Sequence, residues 1–584
     1  LLREESDRYV LQGPLPSRAI PTTLHDSLLA RLDQLAKVKE VAQIGAAIGR
    51  EFTYDLLMSV ADISHVQLAS ALAQLVDSEI IFKRGSQPNP SYVFKHALVQ
   101  DAAYESLLKS TRQELHSRIA DVLVGEDPER LQAEPEVLAY HYNEAALYEK
   151  AIKYFAMAAG RALERSANWE VVGHVTNAMR ALEALPDVAQ RRQWELTLQL
   201  TLGAAYRATK GFGSEETEQA FLRARKLCET VGNPVQLADA LRGLYACAHV
   251  RGELKTARQQ ALRVLELGRQ LDSNYAMVGH WMLGCSLFWQ GEFANARDQF
   301  EQAWSLYDAE AQQTQLLSHQ IDPGISTLMH LGWTLWAVGY PEKSRTIGNQ
   351  AIEQARRLSQ PHAMAMALFF ACCTEICCGD LKRTEELCRQ LRSMTDEHEF
   401  AYLGACASIV EGQILIVKGE FTKGLARIAL GMQGFKDQHA GLGQPWAMSL
   451  PILAYLQTGK TEEGLRLIEA ARKPILENGE HHWEAELNRL QGELLLAGAT
   501  PDLERAKVLF EQALAIARNQ GSKSLELRAA TSLAGLLHRQ HRNREGHELL
   551  NDVYHWFTEG LDTQDLKTAR ELLELLDHDY AHAG

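Results

Sequence analysis

The chain has 584 residues, 46% of them hydrophobic and 23% charged, a composition typical of a folded globular protein and not of a disordered or fibrous one. At about 150 residues per domain, it is too long for a single core. Its 60 basic and 75 acidic residues give a net charge of -15, which repels polyanions and disfavours nucleic acid as a partner.

The first predicted elements are four short helices. Prolines at positions 14, 16 and 21 break the chain, and Thr22-Thr23 can cap a helix that carries leucine at 24, 28, 32 and 35. Apolar periodicity predicts further helices over 38–48, 52–60 and 64–77, with Ser64 as the cap of the last.

A β-hairpin is predicted directly after these helices. The apolar runs 79–84 and 92–95 flank the breaker stretch 85–90, which contains Gly85, Pro88 and Pro90. Helices followed by a hairpin predict a small winged-helix-like α+β module over residues 21–125. Helix 64–77 contains no Lys or Arg, and residues 1–125 hold 13 basic against 15 acidic residues. These counts disfavour DNA contact and favour a packing role between domains.

Glycine recurs at a nearly fixed spacing through the rest of the chain, at helix-to-helix turns 39 to 48 residues apart. Self-similarity at such a period is typical of a solenoid. We therefore predict a repeat superhelix over residues 126–584. The glycines are Gly213, Gly252, Gly291, Gly339, Gly379, Gly419, Gly459 and Gly498.

Within one unit, small and large residues follow the tetratricopeptide pattern. Small residues such as Gly284 and Ala296 let two paired helices approach closely, and Phe300 fills the gap to the next pair. The predicted fold class is therefore all-α, a tetratricopeptide-like α-α superhelix behind the winged-helix-like module. Early and late copies of the pattern are Leu138, Tyr142, Ala151, Phe155 and Ala158, and Gly492, Leu495, Ala506, Phe510 and Ala513.

A stacked array of this kind has a concave inner surface that can hold a protein or peptide. Six residues on first helices of the repeats are predicted to face this groove. The alternative interpretation is hairpin packing, because aromatic stripes at helical spacing usually belong to a core. The six candidates are Arg242, His249, Trp281, Phe288, Trp333 and Trp336.

Three motifs suggest chemistry, and each has a structural interpretation that fits better. Gly459-Lys460-Thr461 resembles the end of a phosphate loop, but Ala454 stands where that loop requires glycine. His481-His482 lacks the spacing of a zinc-binding HExxH helix. The paired cysteines at 372–373 and 377–378 lie on a first helix, where small buried residues are needed, which favours packing over a metal site. We therefore predict no catalytic, cofactor-binding or metal-binding residue in this chain.

The nine cysteines are odd in number and lie in helical stretches, which favours reduced thiols. The sequence contains no obvious apolar run of about 18 to 20 residues and no secretion signal, so we expect a cytoplasmic protein. The chain begins at Leu1 without an initiating methionine. We expect it to be the C-terminal part of a longer protein.

One set of stretches carries a resemblance to a known family: 20–33, 47–52, 92–104, 483–487 with 492–494, and 556–560. Together they resemble a bacterial family of signalling proteins, in which an adenylate/guanylate cyclase domain precedes an AAA (STAND-type) ATPase and a tetratricopeptide tail. No residue matches the cyclase aspartates or the ATPase phosphate loop, so the resemblance implies ATP only in an upstream domain. It also implies that residues 1–20 are a linker from that ATPase.

The resemblance implies a regulatory arm whose repeats bind a protein or peptide and whose module contacts the upstream ATPase domain. One alternative is the regulatory tail of a STAND-type ATPase transcriptional activator, which the acidic C-terminal helix disfavours. A second alternative is a free-standing enzyme built on the helical array. Turnover by this chain alone would be the mark of that enzyme.

Overall fold

The computed structural model describes residues 2–5, 8–11, 38–85, 90–126, 134–165, 167–308, 322–438 and 440–582. The chain divides into two compact units, Leu1–Thr201 (unit 1) and Leu202–Gly584 (unit 2). The boundary predicted between residues 125 and 126 stays a prediction. The predicted helix over 22–35 lies outside the described residues.

Unit 1 begins with two short antiparallel strands, in which Leu2 pairs with Leu11, inside the stretch predicted as a linker. Most of the next elements agree with the sequence prediction. The helix after Ser64 starts with a capping box, because the Ser64 hydroxyl accepts from the Gln67 N–H and the Gln67 side chain accepts from the Ser64 N–H. The elements are β1 (Leu2–Glu5), β2 (Arg8–Leu11), α1 (Lys39–Ile48), β3 (Glu51–Thr53), α2 (Tyr54–Val60), α3 (His65–Asp77), β4 (Ile81–Arg84), β5 (Ser91–Phe94), α4 (Ala97–Glu105) and α5 (Lys109–Glu126).

The hairpin β4–β5 gains a third strand that the sequence analysis missed. β3 pairs with β5, so the sheet order is β3-β5-β4. Phe52, which was predicted to be helical, lies on β3 and stacks on Tyr92 of β5 at 6.0 Å between ring centroids. A strand of three residues is too short to show an alternating pattern, so only its tertiary partner reveals it.

Helical hairpins follow in unit 1. The early copy of the repeat pattern is buried as predicted, with Leu138, Ala151 and Phe155 inside the first of these hairpins. The helices are α6 (Pro135–Glu144), α7 (Tyr148–Glu164), α8 (Asn168–Glu183) and α9 (Ala189–Lys210), the last of which continues into unit 2.

Unit 2 consists of antiparallel helix pairs. One first helix is divided in two at Leu450-Pro451, where the proline N-caps the second piece. The helices are α10 (Glu215–Cys228), α11 (Pro234–Arg251), α12 (Leu254–Leu271), α13 (Ser273–Trp289), α14 (Phe293–Ser305), α15 (Pro323–Ala337), α16 (Pro341–Arg357), α17 (Pro361–Cys378), α18 (Leu381–Glu397), α19 (Ala401–Val417), α20 (Phe421–Asp437), α21 (Gln444–Ser449), α22 (Ile452–Thr458), α23 (Thr461–Asn478), α24 (Glu484–Ala497), α25 (Leu503–Gln520), α26 (Lys523–Arg539), α27 (Asn543–Tyr554) and α28 (Gln564–His582).

All eight predicted corner glycines lie at turns between paired helices. Six of them have a left-handed backbone, with φ from 69° to 100°, which costs glycine little. Gly498 has φ -65° instead, and at the first corner Gly211, not Gly213, takes the left-handed conformation. The six are Gly252, Gly291, Gly339, Gly379, Gly419 and Gly459.

Close helix packing inside the pairs follows the predicted pattern. A Cβ on Gly284 would lie 2.7 Å from the Phe300 ring, and one on Gly492 would lie 2.5 Å from the Phe510 ring. The glycine therefore makes room for the aromatic ring of its partner helix. With this repeated packing, the chain is an all-α, tetratricopeptide-like superhelix with a minor sheet.

In unit 2 the superhelix turns back on itself, and its later repeats contact its earlier ones. Carbonyl groups at the C-terminal ends of first helices, which lack partners within their helix, accept hydrogen bonds from residues 151 to 193 positions later. We call this line of contacts the seam. Its donors are the Gly441 N–H to Val250 O (2.8 Å), the His482 N–H to Trp289 O (3.1 Å), the Ser522 hydroxyl to Ala337 O (2.9 Å) and the Arg528 guanidinium to Cys377 O (2.9 Å).

One helix of unit 2 corrects the expectation that no stretch is apolar and long enough to cross a bilayer. By length and composition alone, α17 qualifies, with a mean hydropathy of 1.4 over 18 residues. However, 72% of this stretch is buried inside the protein. Because its apolar surface contacts neighbouring helices, α17 is placed like the core helix of a water-soluble protein.

Candidate functional site: the inner cleft of unit 2

The inner helices of successive repeats surround a cavity of about 520 Å³, which we call the inner cleft. This volume lies within the range of small-molecule and short-peptide sites. The cleft is lined from α17, α19, α21, α22, α24, α26 and α28. Its side chains include Ile376, Cys377, Gln413, Trp446, Ser449, Leu450, Leu453, Leu456, Trp483, Glu486, Arg489, Leu490, Glu493, Leu496, Arg528, Thr531, Ser532, Leu536, Arg539, Asp565 and Thr568.

One side of the inner cleft carries a row of paired charges that we call the charged wall: Asp565, Arg528, Glu486, Arg489 and Glu493. Arg528, on α26, lies at its centre. Its guanidinium donates to Asp565 at 2.8 Å and to Glu486 at 3.3 Å, in addition to the Cys377 carbonyl across the seam. The same cation lies 5.2 Å from the ring centroid of Trp336. Arg528 therefore joins α24, α26 and α28 to α15 and α17 of the earlier repeats.

A second arginine extends this row of charges along α24. Arg489 makes two bonds of 2.8 Å to the carboxylate of Glu486, the bidentate geometry that suits a guanidinium. It also approaches Glu493 at 3.5 Å, and Glu493 accepts from the Ser532 hydroxyl at 2.6 Å. The wall is thus a continuous chain of alternating charges with hydrogen-bonded ends.

Glu486, Arg489 and Arg528 are charged throughout the physiological pH range. Burial by itself would raise the pKa of Glu486, but the adjacent Arg489 and Arg528 outweigh burial and lower that pKa to about 2. Burial would lower the pKa of Arg528, whereas Asp565 and Glu486 raise it. The charge on each partner therefore keeps the other partner ionised.

The remaining lining is largely apolar and contains an open glycine. Leucines of α22 and α24, among them Leu453 and Leu490, face the cleft together with Trp446 and Trp483. The Trp483 indole N–H donates to the Ser449 hydroxyl at 3.0 Å, which fixes its ring. Gly535, in the middle of α26, also lines the cleft, and a Cβ added there would meet only Leu572, at 4.0 Å.

Three of the six residues predicted for a partner groove are buried in an aromatic cluster. Phe288 and Trp333 pack at 5.2 Å between ring centroids, and Trp336 stacks on Trp483 at 5.9 Å. The exposed fractions of the three are only 1% to 3%, because the later repeats cover them across the seam. Trp336 reaches the charged wall only through Arg528.

The other three predicted residues lie together on α11 and α13, away from the lining of the inner cleft. Arg242 pairs with Asp239 at 3.1 Å, the His249 ring stacks on Tyr245, and Trp281 meets the edge of the same tyrosine at 6.3 Å. Burial lowers the pKa of His249 to about 3, so its ring is neutral. Contact of any of the six with a partner stays a prediction.

Two buried polar residues of the seam have unsatisfied atoms. Glu480 accepts from the Gly443 N–H at 2.7 Å through one oxygen, while its other oxygen and both ring nitrogens of His482 have no hydrogen-bond partner among the described residues. Burial raises the pKa of Glu480 well above its usual value and lowers that of His482 to about 3, so burial favours the neutral form of each. The seam therefore contains polar groups whose hydrogen-bonding capacity is unused in this closed arrangement.

The cysteine pairs lie where the sequence interpretation placed them, on α17 with their side chains buried. We expect Ellman's reagent to react with no thiol except Cys228 in the native chain within minutes, and with nine thiols after denaturation. Burial raises the pKa of every thiol, to about 11 for Cys228, and blocks access to the other eight. A count below nine in denaturant would instead indicate a disulfide or a bound metal.

The cleft residues were missed as a site because their patterns serve packing as well. Glu486 and Arg489 look like an ordinary i,i+3 pair on a solvated helix face, and Arg528 and Asp565 are 37 residues apart. One signal was present: Trp483 and Glu486 belong to the stretch 483–487 on which the family resemblance depended. The resemblance therefore included two residues of the cleft, but it gave no indication that they line a cavity.

Comparison with protein-family models gives no match. An uncharacterized protein of Rhizobium meliloti strain 1021 is 23% identical over 521 residues, which cover 87% of this chain and 50% of that protein. The chain therefore spans about half the length of this curated relative.

Solved structures of helical repeat proteins are similar at low identity. They include a Rap protein complexed with competence and sporulation factor (12% identity, 74% of this chain and 98% of that one, TM-score 0.36) and the quorum sensor NprR of B. thuringiensis (13%, 63% and 99%, 0.40). A STAND protein with a tetratricopeptide repeat sensor from Pyrococcus horikoshii is 14% identical, over 73% of this chain and 66% of that one, with a TM-score of 0.33. At these scores the likenesses carry no argument about this chain.

Proposed function

We propose that this chain is the regulatory, partner-binding region of a signal-transduction ATPase, and that it holds a protein or peptide segment in the inner cleft. The observation that carries the proposal is the cleft itself: a cavity of about 520 Å³ with one row of paired charges and one apolar wall. Such a wall is preorganised, since the ion pairs fix the side chains before a partner arrives.

The chemistry of the cleft favours binding over catalysis. With its pKa lowered to about 2, Glu486 is a poor general base near neutral pH. Burial raises the pKa of the Cys377 thiol to about 12, so it is a poor nucleophile. Glu493 and Asp565 keep about a quarter to a third of their side chains exposed, at 30% and 26%, and can pair with a partner's cation.

The rest of the parent protein belongs to the proposal as well. A relative of about twice this length leaves room for an upstream ATPase domain, and the family resemblance adds an adenylate/guanylate cyclase head that would make cyclic nucleotides in the cytoplasm. In this arrangement ATP binds upstream, and unit 1, through its winged-helix-like module, contacts the ATPase. The coding sequence upstream of Leu1 distinguishes this parent from a transcriptional activator, because only the former has cyclase aspartates.

The Gly535→Trp variant tests the cleft as the binding site. We expect it to fold with unchanged or slightly higher stability, since glycine inside a helix costs about 1 kcal/mol relative to alanine and the added ring has open space. The indole should fill much of the cleft and weaken partner binding at least about tenfold. Binding is measured by fluorescence anisotropy in two steps. A labelled random-peptide library is tested first, and its best binder is then used to compare the affinities of the wild type and the variant.

The matched control is Gly173→Trp, because Gly173 also lies within a helix, α8, and a Cβ added there would meet nothing within 4 Å. This control should bind like the wild type. Equal binding by both variants would place the partner elsewhere, and the absence of any binder in a broad library, including the upstream ATPase domain, would contradict the proposed function.

A further inference from the structure

The turn between α27 and α28 contacts the corner between α15 and α16, more than 200 residues earlier in the chain. One oxygen of the Glu559 carboxylate accepts from the N–H groups of Glu342 and Lys343, both at 3.0 Å. In return, the Gly560 N–H donates to the carboxylate of Glu342 at 2.9 Å. Each side of the contact thus supplies a glutamate to the backbone of the other.

The position of Glu559 explains why this contact is favourable. α16 begins at Pro341, so the N–H groups of its first turn have no acceptor within the helix, and the helix dipole places partial positive charge there. A carboxylate from the distant turn satisfies two of these N–H groups at once. The pair acts as a capping box whose two halves lie on different repeats.

Glycine on both sides lets the two corners touch. Gly560 has φ 70°, and a Cβ on it would overlap the ring of Pro341. On the other side, a Cβ on Gly339 would overlap the indole of Trp556, which also packs against Tyr340 at 5.5 Å. The fit leaves no space for a larger residue, so the contact is either closed or separated.

We propose that this contact is a latch that controls opening of the seam and thereby access to the inner cleft. The inference rests on the proposed function, because it concerns the regulation of that binding site. The latch lies between α26 and α28 in sequence, and these helices carry Arg528 and Asp565 of the charged wall. Arg528 crosses the seam to the Cys377 carbonyl, so separation of the two sides widens the cleft. Glu480 and His482, whose buried polar atoms lack hydrogen-bond partners among the described residues, gain water when the seam opens.

The exposed, ionic nature of the latch makes it reversible. Glu342 is solvent-exposed and Glu559 half-buried, so salt screens their attraction to the helix ends. By contrast, the buried bonds elsewhere along the seam are screened less. The latch is therefore the part of the seam that an occupant, a neighbouring domain or ionic strength can release first.

Hydrogen exchange with residue resolution on the full chain tests the latch without any ligand. The decisive amides are those of His482 and Gly441, which donate across the seam but do not touch the latch. Glu559→Ala loses the two charge-assisted hydrogen bonds from the N–H groups of Glu342 and Lys343, so we expect exchange at least about tenfold faster at His482 and a smaller increase at Gly441. Glu548→Ala is the control, because among the described residues Glu548 pairs with Arg544 alone, on the exposed face of α27.

Maleimide labelling of Cys377, located by mass spectrometry, reports cleft access in the same samples, and we expect it to accelerate in parallel. In the wild type, 1 M salt should accelerate both the amide exchange and the labelling of Cys377. In Glu559→Ala, salt should change neither rate. Because the wild-type measurement needs no variant, the test does not depend on how well Glu559→Ala folds. Faster exchange confined to the amides of Glu342, Lys343 and Gly560 would show that the contact only caps α16 and does not control the seam, which would contradict the proposal. Unchanged Cys377 labelling would overturn its control of the cleft, while peptide binding sensitive to Gly535→Trp would leave the proposed function intact.

Discussion

Replacing Arg528 with methionine is expected to destabilise unit 2 by about 3–5 kcal/mol, the cost of breaking a buried ion pair. The variant leaves Glu486, which is nearly fully buried, with only Arg489 as a charged partner, and leaves the Cys377 carbonyl without its donor. Urea unfolding followed by tryptophan fluorescence measures the change, because all ten tryptophans except Trp169 and Trp194 lie in unit 2.

Two further variants decide whether the ion pair is the cause. Arg539→Met alters an exposed arginine about three turns further along α26 and should change stability by less than about 0.5 kcal/mol. Adding Glu486→Gln to Arg528→Met removes the uncompensated charge and should restore part of the loss. An Arg528→Met variant as stable as Arg539→Met would show that the charged wall contributes nothing to closing the cleft.

Acidification from pH 7 to pH 5 is expected to destabilise unit 1 by about 4 kcal/mol through two histidines. The Nδ1 atoms of His116 and His141 are 2.8 Å apart, so one ring donates and the other accepts, and both rings are neutral. Tyr104 is hydrogen-bonded to the other nitrogen of His116, at 2.9 Å, and also donates to Glu144. Tyr140 packs edge-on against His116.

The sign of this pH dependence is set by whether the folded or the unfolded state binds more protons. Burial, and the neighbouring Arg112, lower the pKa of His116 to about 4, and burial with His116 lowers that of His141 to about 3. In the unfolded chain both titrate near 6.5, so below that pH the unfolded state binds more protons. The stability is fully present above pH 6.5 and is lost as the pH falls toward 4, by about 2 kcal/mol per histidine at pH 5.

Urea-dependent pulse proteolysis at pH 7 and pH 5 measures this loss, with cleavage sites in unit 1 mapped by mass spectrometry. The double variant His116→Gln, His141→Gln keeps polar, hydrogen-bonding side chains but cannot titrate in this range. Its stability should change much less between the two pH values, whatever its value at pH 7. A double variant as acid-sensitive as the wild type would place the proton uptake on other groups.

The repeat architecture could be predicted from the residues alone, because the determinants of a helical hairpin are local. A left-handed glycine at the corner, a small residue opposite a large one, and apolar periodicity all lie within about 40 residues. Gly284 and Phe300 show this, since they are 16 residues apart and their contact follows from the pairing of two adjacent helices. The same locality explains the capping box at Ser64.

Where a site can form depends on contacts between distant repeats, because the seam and the latch join residues as many as 218 positions apart. Phe288, Trp333 and Trp336 lie on first helices, but whether such positions are open to a partner or covered by other repeats depends on how far the superhelix winds. Winding is the sum of small rotations at every hairpin, and no single stretch of sequence encodes that sum. Here the sum brings the later repeats onto the earlier ones, buries these aromatic residues, and leaves the inner cleft beside Arg528.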